Sequence, residues 1–314
     1  MCHEMGALAV FPIQEVYSRR ADSLEQLGTK PKFWFSDEDQ HHMLFKADQR
    51  GTGEDWAEKI ACELCGLLGL PHVNYDLAKD VSTGIPGVVC RTCSPPPTSL
   101  VLGNQLLLAR DPQYPAAASR KYKVQEHTVE AVAGVVKTLE PPLPREDQMM
   151  PDGITSAIGV FTGYVMLDAW IGNQDRHHEN WAAIRTESAL HLAPTFDHGA
   201  AMARRITDQE RLQRMETRDS GRGIPRFVRR ARSAFYRDPG AKKAMTTIEA
   251  WRAFSLYAPE ASIIWVKELG RLADHSIRQI LEAVPLDRLS SVGRDFTYQL
   301  LLENRKRIIN GDLK

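Results

Sequence analysis

Leu167-Asp168-Ala169-Trp170-Ile171-Gly172-Asn173-Gln174-Asp175-Arg176-His177-His178-Glu179-Asn180, followed further on by Leu192-Ala193-Pro194-Thr195-Phe196-Asp197-His198-Gly199, is the part of the sequence from which the rest can be ordered. Ahead of it, Ile154 to Ile171 reads as a long apolar helix, and after it the apolar run Ala189 to Phe196 reads as a strand with Asp197 at its end. Upstream, Val10 to Tyr17 and Lys32 to Phe35 look like strands. The turn residues of Gly28-Thr29-Lys30-Pro31-Lys32 lie between them, so the pair predicts a hairpin. His42 to Lys46 is another strand, with Leu44 and Lys46 on one face and Met43 and Phe45 on the other, which puts Lys46 at a sheet edge or facing a cleft. Thr52-Gly53-Glu54-Asp55 supplies a cap and an acidic first turn. Trp56, Ile60, Leu64, Leu67 and Leu68 then follow at helical spacing until Gly69 and Pro71 stop the run. Strands are predicted near His72 to Leu77 and Ser99 to Leu102, on either side of a Gly- and Pro-rich stretch from Ser82 to Pro97. Beyond the stiff Pro141 to Pro144 segment the pattern is helical, with Thr246 to Tyr257, Ala261 to Glu282 and Val292 to Ile309 as further helices. The expectation is an α+β chain in two lobes, a small β-rich one with a single helix over 1–110 and a larger, mostly helical one over 111–314.

Asp175, Asn180 and Asp197 carry a specific chemistry in that order. In kinase-type phosphoryl transfer one Asp orients the acceptor hydroxyl and takes its proton, and an Asn five residues on holds a magnesium ion. A second Asp, beyond a short hairpin, bridges metal and phosphates. The five-residue gap lets the chain loop back so that the Asp175 carboxylate and the Asn180 amide face one cleft. A lone Asp is usually a solvated surface residue and D-x-x-x-x-N is common. The weight comes from its combination with D-x-G at Asp197-His198-Gly199 and with the strand lysine Lys46, whose bland alternative is an edge lysine that blocks aggregation. This set predicts a protein-kinase-like fold that uses ATP and Mg2+.

N-x-D-R-H-x-x-N followed by l-A-P-x-x-D-x-G resembles the C-terminal catalytic domain of the HipA-type bacterial toxin kinases, whose fold is related to protein kinases and phosphatidylinositol kinases. The resemblance runs from about residue 25 to residue 203. It implies a serine/threonine kinase in which Asp175 is the catalytic base, Asn180 and Asp197 hold magnesium, Lys46 pairs with the phosphates and Glu58 positions Lys46. It also implies that Gly28, Thr29, Lys30 and Lys32 form the phosphate loop that the family writes as S-G-x-Q-P-K, and it places His177 at the ATP site. Two departures stand out. Glu25-Gln26-Leu27 replaces the serine through which some members switch themselves off, with Ser23 the nearest hydroxyl upstream. The chain also begins close to the phosphate loop, as in the family's short forms that lack the N-terminal subdomain. A protein substrate and a helix-turn-helix antitoxin are the partners the resemblance implies. Phosphoinositide-type or small-molecule kinases, AMP transfer on the same fold, and a non-catalytic binding module are the alternatives.

The 314 residues carry 40 Lys and Arg against 40 Asp and Glu, so net charge gives no reason to expect binding to nucleic acid or to an anionic membrane. No stretch approaches a membrane span, the N-terminus lacks the parts of a secretory signal, and five cysteines fit a reducing compartment, so a cytoplasmic protein is expected. Cys62-x-x-Cys65 with Cys90-x-x-Cys93 has the look of a zinc site, but the pairs are far apart and the first lies mid-helix, where both cysteines can be core residues. His177 and His178 read as structural members of the loop, since adjacent histidines rarely point at one ion. From Arg204 to Lys243, thirteen lysines and arginines meet five acids. This is either a solvated helical face or a surface that docks an acidic protein or the acceptor itself.

Overall fold

The computed structural model describes residues 10–24, 31–48, 50–117 and 123–311. Its first part is a six-stranded sheet built from β1 (Ile13–Val16), β2 (Ser23–Leu24), β3 (Lys32–Ser36), β4 (His42–Ala47), β5 (Tyr75–Asp80) and β6 (Pro86–Arg91), in the order β1-β5-β6-β4-β3-β2. All neighbours are antiparallel except β1 and β5, where Ile13 lies beside Leu77 in a parallel pair. The predicted β1–β3 hairpin is therefore wrong. These strands lie toward opposite edges of the sheet, and β3 pairs instead with β2 and β4. β6 falls inside the stretch read as Gly- and Pro-rich, and it separates β5 from β4.

Helix α1 (Glu54–Leu68) crosses between β4 and β5 and buries nearly its whole length, from Asp55 to Leu68. Its start is capped by a residue the sequence did not suggest. The Asp48 carboxylate, rather than Thr52, accepts the backbone N–H groups of Thr52, Gly53 and Glu54, at 3.1, 2.7 and 3.1 Å, which satisfies donors that no helical carbonyl can reach. Two arginines from distant parts of the chain brace the same end. Arg288 pairs with Asp55 and donates to the Ala78 carbonyl at 3.1 Å. Arg204 pairs with Glu54 and donates to Thr52 Oγ1 at 2.6 Å.

The remaining elements form a mostly helical body. β7 (Ser99–Leu102), β8 (Ala182–Arg185) and β9 (Leu190–Leu192) make a small antiparallel sheet, α2 (Gly103–Arg110) packs beside it, and α3 (Val129–Val136) packs on α2. At the centre is α4 (Ala157–Ile171), every residue of which is buried, as its unbroken apolar composition requires. Around it lie α5 (Asp208–Glu216), α6 (Ile224–Val228), α7 (Thr247–Ser255), α8 (Pro259–Arg271), α9 (Asp274–Ala283) and α10 (Ser291–Ile309). The predicted helix from Ala261 to Glu282 is two helices broken at Leu272. Arg305 of α10 holds the break, donating to the Leu272 carbonyl at 2.9 Å and pairing with Asp274 in the first turn of α9. One core joins α1, α3, α4 and the later helices, while smaller apolar clusters line the two faces of the large sheet. Phe196 packs against both the sheet cluster around Tyr75 and the small-sheet cluster around Ile184, so it lies where the two sheets approach each other. Among the described residues no helix is long and apolar enough to cross a membrane.

Candidate active site

Lys46 projects from β4, which has β3 on one side and β6 on the other, so it is not an edge lysine. Its Nζ lies 2.5 Å from Glu58 Oε1 on α1 and 3.0 Å from Asp197 Oδ1, which joins a strand, a helix and a loop 151 residues further on. Burial alone would lower the pKa of this ammonium, but the Asp197 and Glu58 carboxylates outweigh it and hold the pKa well above the usual lysine value. Burial pushes Glu58 in the upward direction, and Lys46 pulls against it. The second oxygen of Glu58 accepts the His198 backbone N–H at 2.8 Å, so the helix carboxylate grips both the lysine and the chain next to Asp197. Asp197 itself has φ 60°, a left-handed conformation that Asp tolerates better than most side chains.

The loop after α4 is folded around a buried ion pair. Gly172, with φ 65°, ends the helix in the left-handed conformation that glycine adopts most cheaply, and its N–H returns to the Asp168 carbonyl. Arg176 then donates from Nε and Nη2 to the two oxygens of Asp168, each at 2.8 Å, with both side chains almost fully buried. Its Nη1 donates to the Asn180 carbonyl at 2.9 Å, and its Nη2 lies 3.2 Å from His198 Nε2. Asn173 adds a bond to Asp168 at 2.8 Å and accepts the Asp175 N–H. Asn180 Nδ2 donates to the Asp175 carbonyl at 2.7 Å, which leaves the amide oxygen as the group Asn180 can offer elsewhere. The His177 ring accepts the Glu179 N–H at Nδ1, so its other nitrogen carries the proton and stands 3.8 Å from Asp175 Oδ1. His178 is buried and bonded to the Tyr114 hydroxyl at 2.8 Å. The N-terminus of α2 supports the loop from outside, with Gly103 and Asn104 donating to the Trp181 and His178 carbonyls. A Cβ at Gly103 would lie 2.7 Å from that His178 oxygen, so a side chain there would push helix and loop apart.

These groups open on a cleft of about 1400 Å3 lined by Lys32, Lys46, Asp175, His177, Asn180 and Asp197, together with apolar surface from Leu44, Leu102 and Phe196. Lys32 lies directly opposite Lys46 in the β3–β4 ladder, so both occupy the cleft face. Glu58 lies behind Lys46, in the interior. Gly28, Thr29 and Lys30 of the expected phosphate loop lie outside the described residues. The C-x-x-C cysteines are distributed through the interior: Cys62 and Cys90 share the cluster around Tyr75, and Cys65 belongs to the main core. Burial pushes the Cys62 thiol up to about 11 and the Cys90 thiol up to about 12, which favours neutral thiols over metal-binding thiolates. Asp168, Arg176 and His198 were quoted in the sequence motifs without a role. The available signal was a carboxylate inside a helix that is otherwise apolar, since a buried charge requires a partner.

No protein-family model matches the chain, and no curated protein matches it in sequence. Solved structures do match. The Helicobacter pylori proinflammatory kinase CtkA superposes with a TM-score of 0.69 at 16% identity, over 95% of this chain and 96% of that one. HipA, from the Shewanella oneidensis MR-1 toxin–antitoxin complex with HipB and operator DNA, superposes with a TM-score of 0.52 at 14% identity, over 91% of this chain and 65% of that one. At such identities the likeness is one of fold alone, and the chain has a kinase-like fold.

Proposed function

We propose that the protein is an ATP-dependent kinase that transfers the γ-phosphoryl group of Mg-ATP to a serine or threonine hydroxyl of a protein, as the HipA-like motifs suggest. The observation that carries the reading is Lys46, held between Glu58 and Asp197 by chain segments remote in sequence. A strand lysine braced by a helix carboxylate is the arrangement kinases use to hold phosphates. The residues present fit the nucleotide and its metal. Lys32 and Lys46 are cross-strand neighbours lining the cleft, which puts two ammonium groups where phosphate oxygens would lie. Among the described residues no three His, Cys, Asp or Glu side chains converge as a protein-only metal cage would need. Mg2+ asks for less, since one or two protein oxygens plus phosphate oxygens suffice, and Asp197 with the Asn180 amide oxygen would supply the protein's share. When bound, the metal supplies neutralisation of charge developing on the phosphoryl oxygens.

In this reading the chain's own residues act mainly by placement. Lys46 and Lys32 hold phosphate oxygens, and Glu58 and the His198 N–H keep Lys46 and Asp197 in register. Asp175 accepts the proton of the acceptor hydroxyl, with the His177 ring 3.8 Å from its carboxylate. Arg176 keeps the loop in shape so that Asp175 and Asn180 face the same space.

The test uses purified protein and a cell lysate incubated with Mg-ATP labelled at either the α or the γ phosphate. Label passing to protein from γ only, with roughly a 10²-fold or greater fall in Asp175→Asn and Asp197→Asn, is the expected result. Transfer of α label would indicate AMP transfer. Absence of transfer from both, or an undiminished rate in either variant, would refute the assignment.

A further inference from the structure

The basic segment after Asp197 reaches into the cleft. Among the described residues ten lysines and arginines line the cleft against the carboxylates of Asp175, Glu179 and Asp197, in a chain whose charges balance overall. Lys32 and Lys46 belong to the phosphate end. Lys123, Arg205, Arg230, Arg232 and Lys243 come from outside the large sheet, and all five are exposed.

The segment itself carries far more cations than acids. Asp208 pairs with Arg211 and Glu210 with Arg214, all on α5, whereas from Arg226 to Lys243 seven cations meet the single carboxylate of Asp238. Glu249 on α7 adds a countercharge near Arg237 and Arg232. The backbone that carries these cations is nonetheless fixed. Ser233 N–H donates to the Met245 carbonyl at 2.9 Å, Met245 N–H to Phe235 at 2.8 Å and Tyr236 N–H to His127 at 3.0 Å. Phe235 is fully buried and stacked on His127 with ring centres 4.7 Å apart. A segment tied down on its inner side and lined with exposed cations on its cleft side is preorganised for an anion.

We propose that this rim binds an acidic polypeptide, so that the acceptor hydroxyl is presented within a stretch rich in Asp and Glu; the proposal rests on the kinase reading above. A polypeptide fits better than a phosphorylated headgroup. A headgroup calls for cations alone, whereas this cleft wall also carries the apolar Phe227, Val228 and Ala231, which side chains of a polypeptide can cover.

The test compares peptides of one length, each with a single serine flanked by Glu, Ala or Lys, for binding by fluorescence anisotropy and for uptake of γ label. The Glu-flanked peptide is expected to bind at least about tenfold more tightly than the Ala-flanked one, in a salt-sensitive manner, and the Lys-flanked peptide more weakly than both. Arg230→Glu combined with Arg232→Glu is expected to abolish or invert that order. Equal binding of the three peptides, or an unchanged order in the double variant, overturns the proposal. So does tighter binding of phosphatidylserine vesicles or inositol hexakisphosphate than of the Glu peptide. A parallel loss of Mg-ATP affinity in the double variant would assign the arginines to the nucleotide and also overturn it. Anisotropy reads binding without transfer, so absence of label transfer refutes the kinase reading while the peptide comparison still decides this one.

Discussion

Two buried charge clusters flank the loop from Gly172 to Asn180, and they are connected differently. Arg176 and Asp168 lie eight residues apart, at 1% and 3% side-chain exposure, with the guanidinium bonded to a carboxylate, a carbonyl and a ring nitrogen. Lys46, Glu58 and Asp197 come from remote parts of the chain, and Asp197 keeps 29% of its side chain exposed at the cleft. The first cluster is local and satisfied, so it serves to fix the shape of one loop. The second is non-local and open on one side, so it can hold a ligand without unfolding. A buried ion pair is weak evidence for stability, and what distinguishes the two here is what happens when one partner is removed.

The largest effect is expected for Asp168→Ala, which leaves Arg176 buried without its carboxylate. Urea unfolding should show a loss of about 3–5 kcal/mol, and transfer activity should disappear with it. A stability within 1 kcal/mol of wild type would show that the loop is not built on this pair and would break the comparison. Next in size, Lys46→Met should lower the transfer rate by roughly 10²-fold, about 2.7 kcal/mol in barrier, while costing clearly less stability than Asp168→Ala. Burial already pushes Glu58 upward, so it can take a proton once the lysine has gone. A Lys46→Met protein as unstable as Asp168→Ala would mean that both clusters are structural.

A smaller, pH-dependent effect comes from His127, which lies outside both clusters. Its Nε2 accepts the Trp181 indole N–H at 3.2 Å and its Nδ1 donates to the Ala234 carbonyl at 3.0 Å, so the folded state has no place for a second proton. Burial drives its pKa down from 6.5 to about 3. The unfolded chain therefore binds the extra proton first. The stability tied to neutral His127 is complete above the unfolded value and is lost as pH falls toward the folded one, with a slope of at most about 1.4 kcal/mol per pH unit. Urea midpoints measured from pH 7 down to pH 5 should fall less steeply in His127→Gln than in wild type. Parallel slopes would remove His127 from the account.

How much of this was legible depended on how local the information was. Asp175, Asn180 and Asp197 sit in two short stretches, and Lys46 followed from alternation over five residues, so local pattern could single out as candidates four residues that the fold brings to one cleft. β6 was hidden because Gly87 looked like a turn residue. The glycine is there because a Cβ would lie 2.3 Å from the Lys46 carbonyl, a constraint imposed by the neighbouring strand. The parallel pairing of β1 with β5 is a long-range choice, and local pattern favoured the nearer hairpin. The break at Leu272 depends on Arg305, 33 residues away, so the sequence around the break reads as continuous helix. Arg176 and Asp168 were visible as residues but not as a pair, because only the turn at Gly172 brings them together.

The two arginines at the start of α1 bear on how often the protein is ready to act. Asp55 and Glu58 lie one turn apart, so tilting the helix outward would strip Arg288 from Asp55 as well as Lys46 from Glu58. Parting both pairs at once makes the tilt costlier than parting either one alone. The helix is therefore held by both contacts in the position that pairs Glu58 with Lys46. An inhibitor of such a protein would gain little from chasing a displaced helix and more from occupying the cleft itself.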